Sequence, residues 1–215
     1  PFYAGVNSKY YGENGINFWD VENGTLDNVS SSNNLGYGAW LHLDNGLILN
    51  SSFHENNMSG LWIAGSNCNI SNNEFHNNSF EGITVTGMVD GVFSNNSILF
   101  NGDDGLFMGY MTESNQITDN HFRGNEGFDI VFSASIDNHL RRNDMSKGFT
   151  ILNDRKESWL TLDIDGSNLL NGILIRVYRN VMPSEIELAS PMIYFVNISG
   201  IDLDDYEAEG PIRSL

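Results

Sequence analysis

A recurring glycine in this sequence is preceded, at successive repeats, by residues that could bind a metal ion or move protons. In chain order these residues are Tyr37, Ser59, Glu81, Asp104, Glu126 and Lys147. Closely spaced carboxylates raise one another's pKa or share a cation, and hard oxygen ligands suit Ca²⁺. Two carboxylates also act as acid and base in glycoside hydrolysis. Three interpretations stay open: a solvated acidic surface, a calcium site at Glu81, Asp103, Asp104 and Glu126, or catalysis by Glu81, Asp104 and Glu126.

A trio of residues follows each glycine, and its first and third members are nearly always apolar. This alternation is typical of a strand with one face inward, so the middle member should face outward. An outward row of aromatic residues marks a binding surface more often than chance exposure does. The alternative is that a loop, the C-terminal segment or another chain covers the row. The middle members are Trp40, Trp62, Thr84, Phe107, Asp129 and Thr150, of which Trp40, Trp62, Phe107 and Asp129 are the predicted binding residues.

These candidates depend on a repeat that runs through most of the chain. The stretch from Asn50 to Val85 contains nearly the same pattern twice, 22 residues apart. The glycines recur at steps of 21 to 23 residues, at Gly15, Gly38, Gly60, Gly82, Gly105, Gly127 and Gly148. A fixed period of this length indicates a solenoid, in which like residues stack on like residues.

Three short apolar segments in each period predict three short strands per coil. A coil of ~22 residues at about 3.3 Å each has a perimeter of about 70 Å, which suits three faces around a narrow core. Asparagine should occupy many turns, because it tolerates a left-handed backbone, and its amides can stack along the coils. Two predicted core columns are Ile48, Ile70, Phe93, Ile117 and Leu140, and Phe53, Phe75, Ile98, Phe122 and Met145.

The pattern I-x-x-N-x-F-x-x-N-x-x-x-G-I-x-V resembles the repeats of right-handed parallel β-helix proteins, of the carbohydrate-binding and sugar-hydrolase type with a pectin-lyase-like fold. The resemblance covers roughly Gly15 to Leu152. It implies an all-β, right-handed parallel β-helix of about six to seven coils. It also implies an extracellular or cell-surface location, whereas the repeats themselves encode the coil and not a reaction.

The repeat also predicts the division of the chain. Residues 1–152 should form the β-helix, with residues 1–14 as an N-terminal cap or partial coil. Residues 153–215 lack the glycine column and contain four predicted strands, namely WLTLDI, GILIRVY, EIEL and MIYFVNI. They should form either an antiparallel β cap or the start of a second β domain. The segment is expected to come from a longer protein.

Composition excludes several classes of partner. The formal net charge of −18 disfavours nucleic acid and anionic membranes, and no apolar run is long enough for a membrane span. Cys68 is the only cysteine, so an intrachain disulfide is impossible, and we expect a buried thiol. His54 and His76 share a column, where polar stacking or two metal ligands are the alternatives.

Sequons for N-linked glycosylation are frequent, which suits a glycosylated surface protein, although Asn- and Ser-rich turns also create sequons by chance. The candidates for modification are Asn23, Asn28, Asn50, Asn57, Asn77, Asn95 and Asn197.

Three functions remain open from the sequence. The first is an extracellular surface module that binds glycans or has a structural role. The second is a polysaccharide lyase or glycoside hydrolase that uses the acidic residues. The third is a subunit whose copies assemble into a cell-surface or virion fibre. The predicted cofactor is either none or Ca²⁺, and the predicted partners are a polysaccharide or neighbouring copies.

Overall fold

The protein is a right-handed parallel β-helix, as the repeat predicts. The computed structural model describes residues 7–9, 13–152, 156–180, 192–196 and 212–213. Each coil contributes one strand to each of three parallel sheets, which we call sheets I, II and III in the order of the chain. Seven strands in sheet I correspond to about six turns of the solenoid.

Sheet I contains the longest strands and is flanked by the turns where the candidate residues lie. Its strands are β2 (Ile16–Glu22), β5 (Ala39–Asp44), β8 (Leu61–Ser66), β11 (Ile83–Val89), β14 (Leu106–Met108), β17 (Ile130–Ser133) and β20 (Phe149–Leu152).

Sheets II and III consist of strands of two or three residues. Sheet II is formed by β3 (Thr25–Asp27), β6 (Leu47–Leu49), β9 (Asn69–Ser71), β12 (Val92–Ser94), β15 (Gln116–Thr118), β18 (His139–Arg141) and β21 (Asp163–Ile164). Sheet III is formed by β1 (Asn7–Lys9), β4 (Ser30–Ser32), β7 (Ser52–His54), β10 (Glu74–His76), β13 (Ser97–Leu99), β16 (His121–Arg123), β19 (Asp144–Met145), β22 (Leu169–Leu170) and β23 (Ile173–Leu174).

The predicted core columns are confirmed. Ile48 pairs with Ile70, and Phe53 pairs with Phe75, each across one coil. Every residue of both columns is at most 1% exposed. The core is therefore a set of continuous apolar columns, so each coil buries its apolar side chains against the coils on either side.

Buried asparagines form a second set of columns, at the turns between sheets. In each column the side-chain amide Nδ2 donates to Oδ1 of the asparagine in the next coil, for example from Asn56 to Asn78 at 3.0 Å and from Asn78 to Asn101 at 3.0 Å. The backbone N–H of each donor residue bonds the same oxygen. The two long columns are Asn34, Asn56, Asn78, Asn101 and Asn125, and Asn73, Asn96, Asn120, Asn143 and Asn168.

Gly82, which precedes β11 of sheet I, is required by the close approach of neighbouring coils. A Cβ atom on Gly82 would lie 2.8 Å from the carbonyl oxygen of Gly105 and 2.6 Å from the side chain of Ile98. The backbone of Gly82 has no positive φ, so the requirement comes from space and not from conformation.

The parallel stack continues past residue 152. Strands β21 and β22 pair in parallel with β18 and β19, so the stack extends to Leu170 before β22 and β23 form an antiparallel pair. The predicted strand at Trp159–Thr161 is wrong, because Lys156–Thr161 form a short helix, α1. The described residues include no helix that is long and apolar enough to cross a membrane.

The remaining described strands are β24 (Arg176–Arg179), β25 (Ile193–Val196) and β26 (Ile212–Arg213), which form a three-stranded parallel sheet. The predicted strand at 172–178 is divided into β23 and β24, which belong to different sheets, and the predicted strand at 192–198 is confirmed for the residues that the structure describes. The predicted strand at residues 185–188 lies outside the described residues, as do the sequon at Asn197 and most of the predicted N-terminal cap. The interpretation of the C-terminal segment as a cap or a second domain stays a prediction.

Candidate functional site

Three tryptophans stack along the outward face of sheet I. The rings of Trp40 and Trp62 lie 5.4 Å apart between centroids, on strands that pair in register. Trp19 stacks on Trp40 at 4.9 Å and is 57% exposed. The prediction that Trp40 and Trp62 face outward is confirmed, and the structure adds Trp19. We call these three residues the tryptophan ladder.

The geometry of the ladder leaves aromatic surface free for a ligand. Rings in direct face-to-face contact would lie about 3.5 Å apart, because that is the contact distance between carbon atoms. The ring planes are instead inclined by 23° for Trp19 and Trp40 and by 35° for Trp40 and Trp62, with centroids 4.9 and 5.4 Å apart. Trp40 lies between the other two rings and is half-buried, as is Trp62, so the most accessible aromatic surface of the ladder is at Trp19.

The open part of this face lies on the N-terminal coils. Thr84 and Phe107 continue the row beyond Trp62 and are half-buried. Further on, Val131 and Thr150 occupy the same row and are only 1% and 6% exposed. A ligand on sheet I therefore has access to the tryptophan end of the row and not to its C-terminal end.

The predicted position of Asp129 on this face is wrong. Leu106–Met108 pair with Ile130–Phe132, so Val131 and not Asp129 occupies the outward row. Asp129 is fully buried in the glycine column, and its Oδ2 accepts hydrogen bonds from the backbone N–H groups of Ser146, Lys147 and Gly148 at 2.5–3.0 Å. Its carboxylate stabilises a turn, which is a structural role.

The acidic row beside the ladder is real but shorter than predicted. Hydrogen bonds between coils align Ser59 with Glu81, Glu81 with Asp104 and Asp104 with Phe128. The predicted place of Glu126 in this row is wrong, because its N–H donates to the carbonyl oxygen of Asn101, three positions before Asp104. The acidic row thus consists of Glu81 and Asp104, with exposed Asp103 next to them.

Polar groups link this row to the ladder. Ser59 Oγ donates to Glu81 Oε2 at 2.7 Å, and Thr84 Oγ1 lies 2.9 Å from Ser59 Oγ and 3.2 Å from Glu81 Oε2. Burial, reinforced by the charge of Glu81, raises the pKa of Tyr37 in the same row. Hydroxyl and carboxylate groups therefore border the row that contains Trp62 and Thr84, where they can bond the hydroxyl groups of a sugar.

Asp104 is the most perturbed carboxyl of the row. Burial raises its pKa to about 6, with further contributions from Asp103, Glu81 and Asp129, although Asp104 Oδ1 accepts a hydrogen bond from Phe128 N–H at 2.7 Å. Burial and the charge of Glu81 likewise raise the pKa of Asp103. Among the described residues, no three His, Cys, Asp or Glu side chains are arranged to hold one metal ion. Calcium at this row therefore stays a prediction.

Replacing Asp104 with asparagine should stabilise the protein at pH 7 by about 1 kcal/mol. A full shift of two pKa units corresponds to about 3 kcal/mol, and solvent screening of a half-buried group reduces that value. The pKa of this carboxyl is 3.8 in the unfolded chain and about 6 in the folded protein. At pH values between these two, the folded protein binds more protons than the unfolded chain, so the carboxyl lowers stability as pH rises. Urea unfolding of both proteins at pH 7 and pH 4 measures the effect.

The gain in stability of Asp104→Asn should nearly vanish at pH 4, where Asp104 of the folded wild type is protonated. Asp27→Asn on the exposed side of sheet II is the control with the same change of charge, and it should leave stability nearly unchanged at both pH values. A gain of equal size at pH 4 and pH 7 would contradict the assignment to this carboxyl.

A polar groove lies next to the ladder at the ends of the first strands of sheet I. Its volume is about 490 Å³, and it is lined by Asp20, Val21, Glu22, Asp44, Asn45 and Ser66. His42 Nδ1 lies 3.0 Å from Asp20 Oδ1, and the His42 ring packs 5.2 Å from that of Trp19. Ser66 Oγ donates to Asp44 Oδ1 at 2.7 Å. We call this feature the carboxylate groove.

The other candidates have structural explanations. The rings of His54 and His76 stack at 4.7 Å with an interplanar angle of 5°, as polar stacking predicts. Cys68 is buried, and burial raises its pKa to about 11, so its thiol is unreactive. The sequon asparagines at 23, 28, 50, 57, 77 and 95 are all exposed, and modification of them stays a prediction.

Comparison with known proteins identifies the family. Residues 14–165 match the family model described as "Right handed beta helix region", and the chain belongs to this family. A search of curated proteins finds no match.

Solved structures with the same fold include two epimerases and a lyase. The A-module of the mannuronan C-5 epimerase AlgE6 of Azotobacter vinelandii aligns at 12% identity and a TM-score of 0.52, over 74% of this chain and 55% of that chain. A mutant of the periplasmic alginate epimerase AlgG aligns at 18% identity and a TM-score of 0.58, over 84% of this chain and 45% of that chain. An alginate lyase from Paenibacillus sp. str. FPU-7 aligns at 11% identity and a TM-score of 0.52, over 90% of both chains. The chain thus spans about half of each epimerase, and these identities support the fold alone.

Proposed function

We propose that this chain is a polysaccharide-binding β-helix whose binding face is the tryptophan ladder with its polar borders. The outward-facing ladder, with Trp19 exposed and Trp40 and Trp62 half-buried, is the observation that supports this function most strongly. Indole rings that remain accessible on a sheet face provide apolar surface for the flat faces of sugar rings. The hydroxyl and carboxylate groups of Ser59, Glu81 and Thr84 lie beside it, and such groups bond sugar hydroxyls.

The neighbouring structures support a polysaccharide as the ligand class and a location outside the cytoplasm. They include a periplasmic alginate epimerase and an alginate lyase. The binding face itself disfavours alginate, a polymer of uronic acids. Glu81, Asp103 and Asp104 line its border, and the sequence contains no Lys or Arg between residues 10 and 122. Like charges of this kind oppose binding of a polyanion.

Loss of the ladder should abolish most of the binding. In the double variant Trp40→Ala/Trp62→Ala, we expect affinity for a recognised oligosaccharide to fall by at least about tenfold, because buried aromatic contacts dominate such interfaces. Calorimetry with hexamers of glucose, mannose, glucosamine, N-acetylglucosamine and alginate measures binding. Leu47→Ala, which removes a 38% exposed side chain from sheet II, is the matched control and should bind like the wild type.

Unchanged affinity in the double variant, with an unchanged melting temperature, would contradict a binding role for the ladder. Absence of binding to any oligosaccharide in the panel by the wild type would count against the proposed function itself.

A second candidate function is cleavage of a polysaccharide, and the raised pKa of Asp104 favours it. A carboxyl with a pKa of about 6 can donate and accept protons near neutral pH, as an acid–base catalyst must. Glu81 in the preceding coil would be the second carboxylate. Incubation of the bound polymer with wild type and Asp104→Asn tests this role. Product formed by the wild type and not by the variant supports catalysis, and no product from either leaves binding as the function.

A further inference from the structure

We infer that the polysaccharide held on this face is a cationic amino polysaccharide, such as a β-1,4-linked glucosamine polymer, whose ammonium groups occupy the carboxylate groove beside the tryptophan ladder. The inference rests on the proposed function and adds the chemical class of the ligand. It is derived from the position of the groove relative to the ladder and from the charge of the N-terminal coils.

The ladder and the groove lie on one continuous surface. Along β5 the outward residues are Trp40, His42 and Asp44, because side chains alternate between the two faces of a strand. Residues two apart are separated by about 6.5 Å, so Trp40 and Asp44 lie roughly 13 Å apart along the strand. A sugar chain placed along β5 therefore contacts an aromatic ring at one end and a carboxylate at the other.

Oxygen atoms line the groove on neighbouring coils. Glu22, Asp44 and Ser66 are paired in register, and Asp20 lies beside them next to His42. The groove therefore brings three carboxylates and a hydroxyl around a volume of about 490 Å³. An ammonium group has three N–H donors and no acceptor, so it suits a site lined with carboxylate oxygens.

Charge complementarity selects the cationic polymer. Residues 10–122 contain thirteen Asp and Glu and no Lys or Arg, so lysine and arginine supply no positive charge within these coils. Asp20 already has His42 as a neighbour, whereas Glu22 and Asp44 have no cationic side chain beside them among the groove residues. A polyuronate would add negative charge to this surface, and a neutral polysaccharide would gain no attraction from these two carboxylates. A polymer with amines at regular intervals supplies a counter-charge while its sugar rings pack on the ladder. Repeated weak contacts along one polymer then add through multivalency.

Two oligosaccharides that differ only in charge test the inference. The probes are tetramers of glucosamine and of N-acetylglucosamine, titrated calorimetrically into the full chain at a pH that keeps the amines protonated. The glucosamine tetramer should bind about tenfold more tightly at low salt, and added salt should reduce this preference, because salt screens exposed charges.

A charge-matched pair of variants locates the effect. Asp44→Asn should weaken binding of the glucosamine tetramer by about two- to fivefold, the value of one exposed ion pair, and leave binding of the acetylated tetramer unchanged. Asp27→Asn on sheet II makes the same change of net charge away from the groove, and it should alter neither.

The outcomes separate this inference from the proposed function. Equal affinity for the two tetramers overturns the inference while the proposed function stands. Equal losses in Asp44→Asn and Asp27→Asn also overturn it, because the attraction is then nonspecific. If the ladder variants leave binding of both tetramers unchanged, the proposed function fails as well.

Discussion

Replacement of Phe75 by alanine is expected to lower the free energy of unfolding by about 3–5 kcal/mol. The Phe75 ring is fully buried and stacks on Phe53 with centroids 5.3 Å apart and an interplanar angle of 9°. On its other side it pairs with Ile98. Removal of the ring leaves a cavity that rigid neighbouring coils cannot close, so the lost contacts are not replaced. Equilibrium unfolding in urea measures the change.

Phe80 provides the matched control because it is the same residue type five positions later and is 47% exposed. Phe80→Ala should change stability by less than about 1 kcal/mol, as is usual for surface substitutions. Similar losses for the two variants would mean that the core column is not where the structure places it. The effect is expected to spread along the chain, because each coil is stabilised by the coils next to it.

The fold was predictable because the same residue types recur in several independent columns. Phe53 and Phe75, or Ile48 and Ile70, identify the core by their spacing alone, and the parallel sheets follow from it. No single coil is strongly specified by local propensity. The information lies in the repetition, and a short window of the sequence would not have revealed it.

The register of the sixth coil could not be read from the glycines. Gly127 fits the period, but the glycine column passes through Asp129 instead. Gly127 lies against the carboxylate of Asp104, where a Cβ atom would collide with Oδ1. Its role in packing is therefore different from that of Gly105. A sequence pattern records that glycine is needed at a position and does not record what approaches it.

The binding face was predicted only in part, because the spacing identifies only residues at a regular distance from a glycine. Trp40 and Trp62 follow a glycine at the expected offset, whereas Trp19 lies two residues beyond the corresponding position. The strand is irregular there, with a shift of register between Phe18 and Val21 and a positive φ at Asp20. The alternation of strand residues does place Trp19 on the outward face, and this was the available signal. The carboxylate groove depends on that irregular turn, so spacing alone could not reveal it.

Asparagine turns divide into two roles that the sequence does not distinguish. Asn72 and Asn73 are neighbours of the same type, yet Asn72 is exposed with a φ of 58° while Asn73 is buried in a column of amides. The first is favoured because asparagine tolerates a left-handed backbone. The second is favoured because one amide supplies both a donor and an acceptor, as stacking along an axis requires.

Replacing a buried asparagine should therefore cost as much as replacing a core aromatic residue. In Asn78→Ala we expect a loss of about 3–5 kcal/mol, measured by equilibrium unfolding in urea. Asn78 Oδ1 accepts hydrogen bonds from both the backbone N–H and the side-chain amide of Asn56, and its own Nδ2 donates to Phe53 O and Asn101 Oδ1. Each buried polar group left without a partner costs about 1–3 kcal/mol.

Two further variants separate hydrogen bonding from packing. Asn78→Leu keeps the branched shape of the asparagine side chain and leaves no cavity, but it is larger, and overpacking of a buried site costs about 1–3 kcal/mol by itself. A loss of stability beyond that range assigns the remainder to the hydrogen bonds. Asn57→Ala, at an exposed asparagine on the same turn as Asn56, should change stability by less than about 1 kcal/mol. If Asn78→Leu were as stable as the wild type, the amide column would contribute specificity of register rather than stability, since correct stacking would then depend on the apolar columns alone.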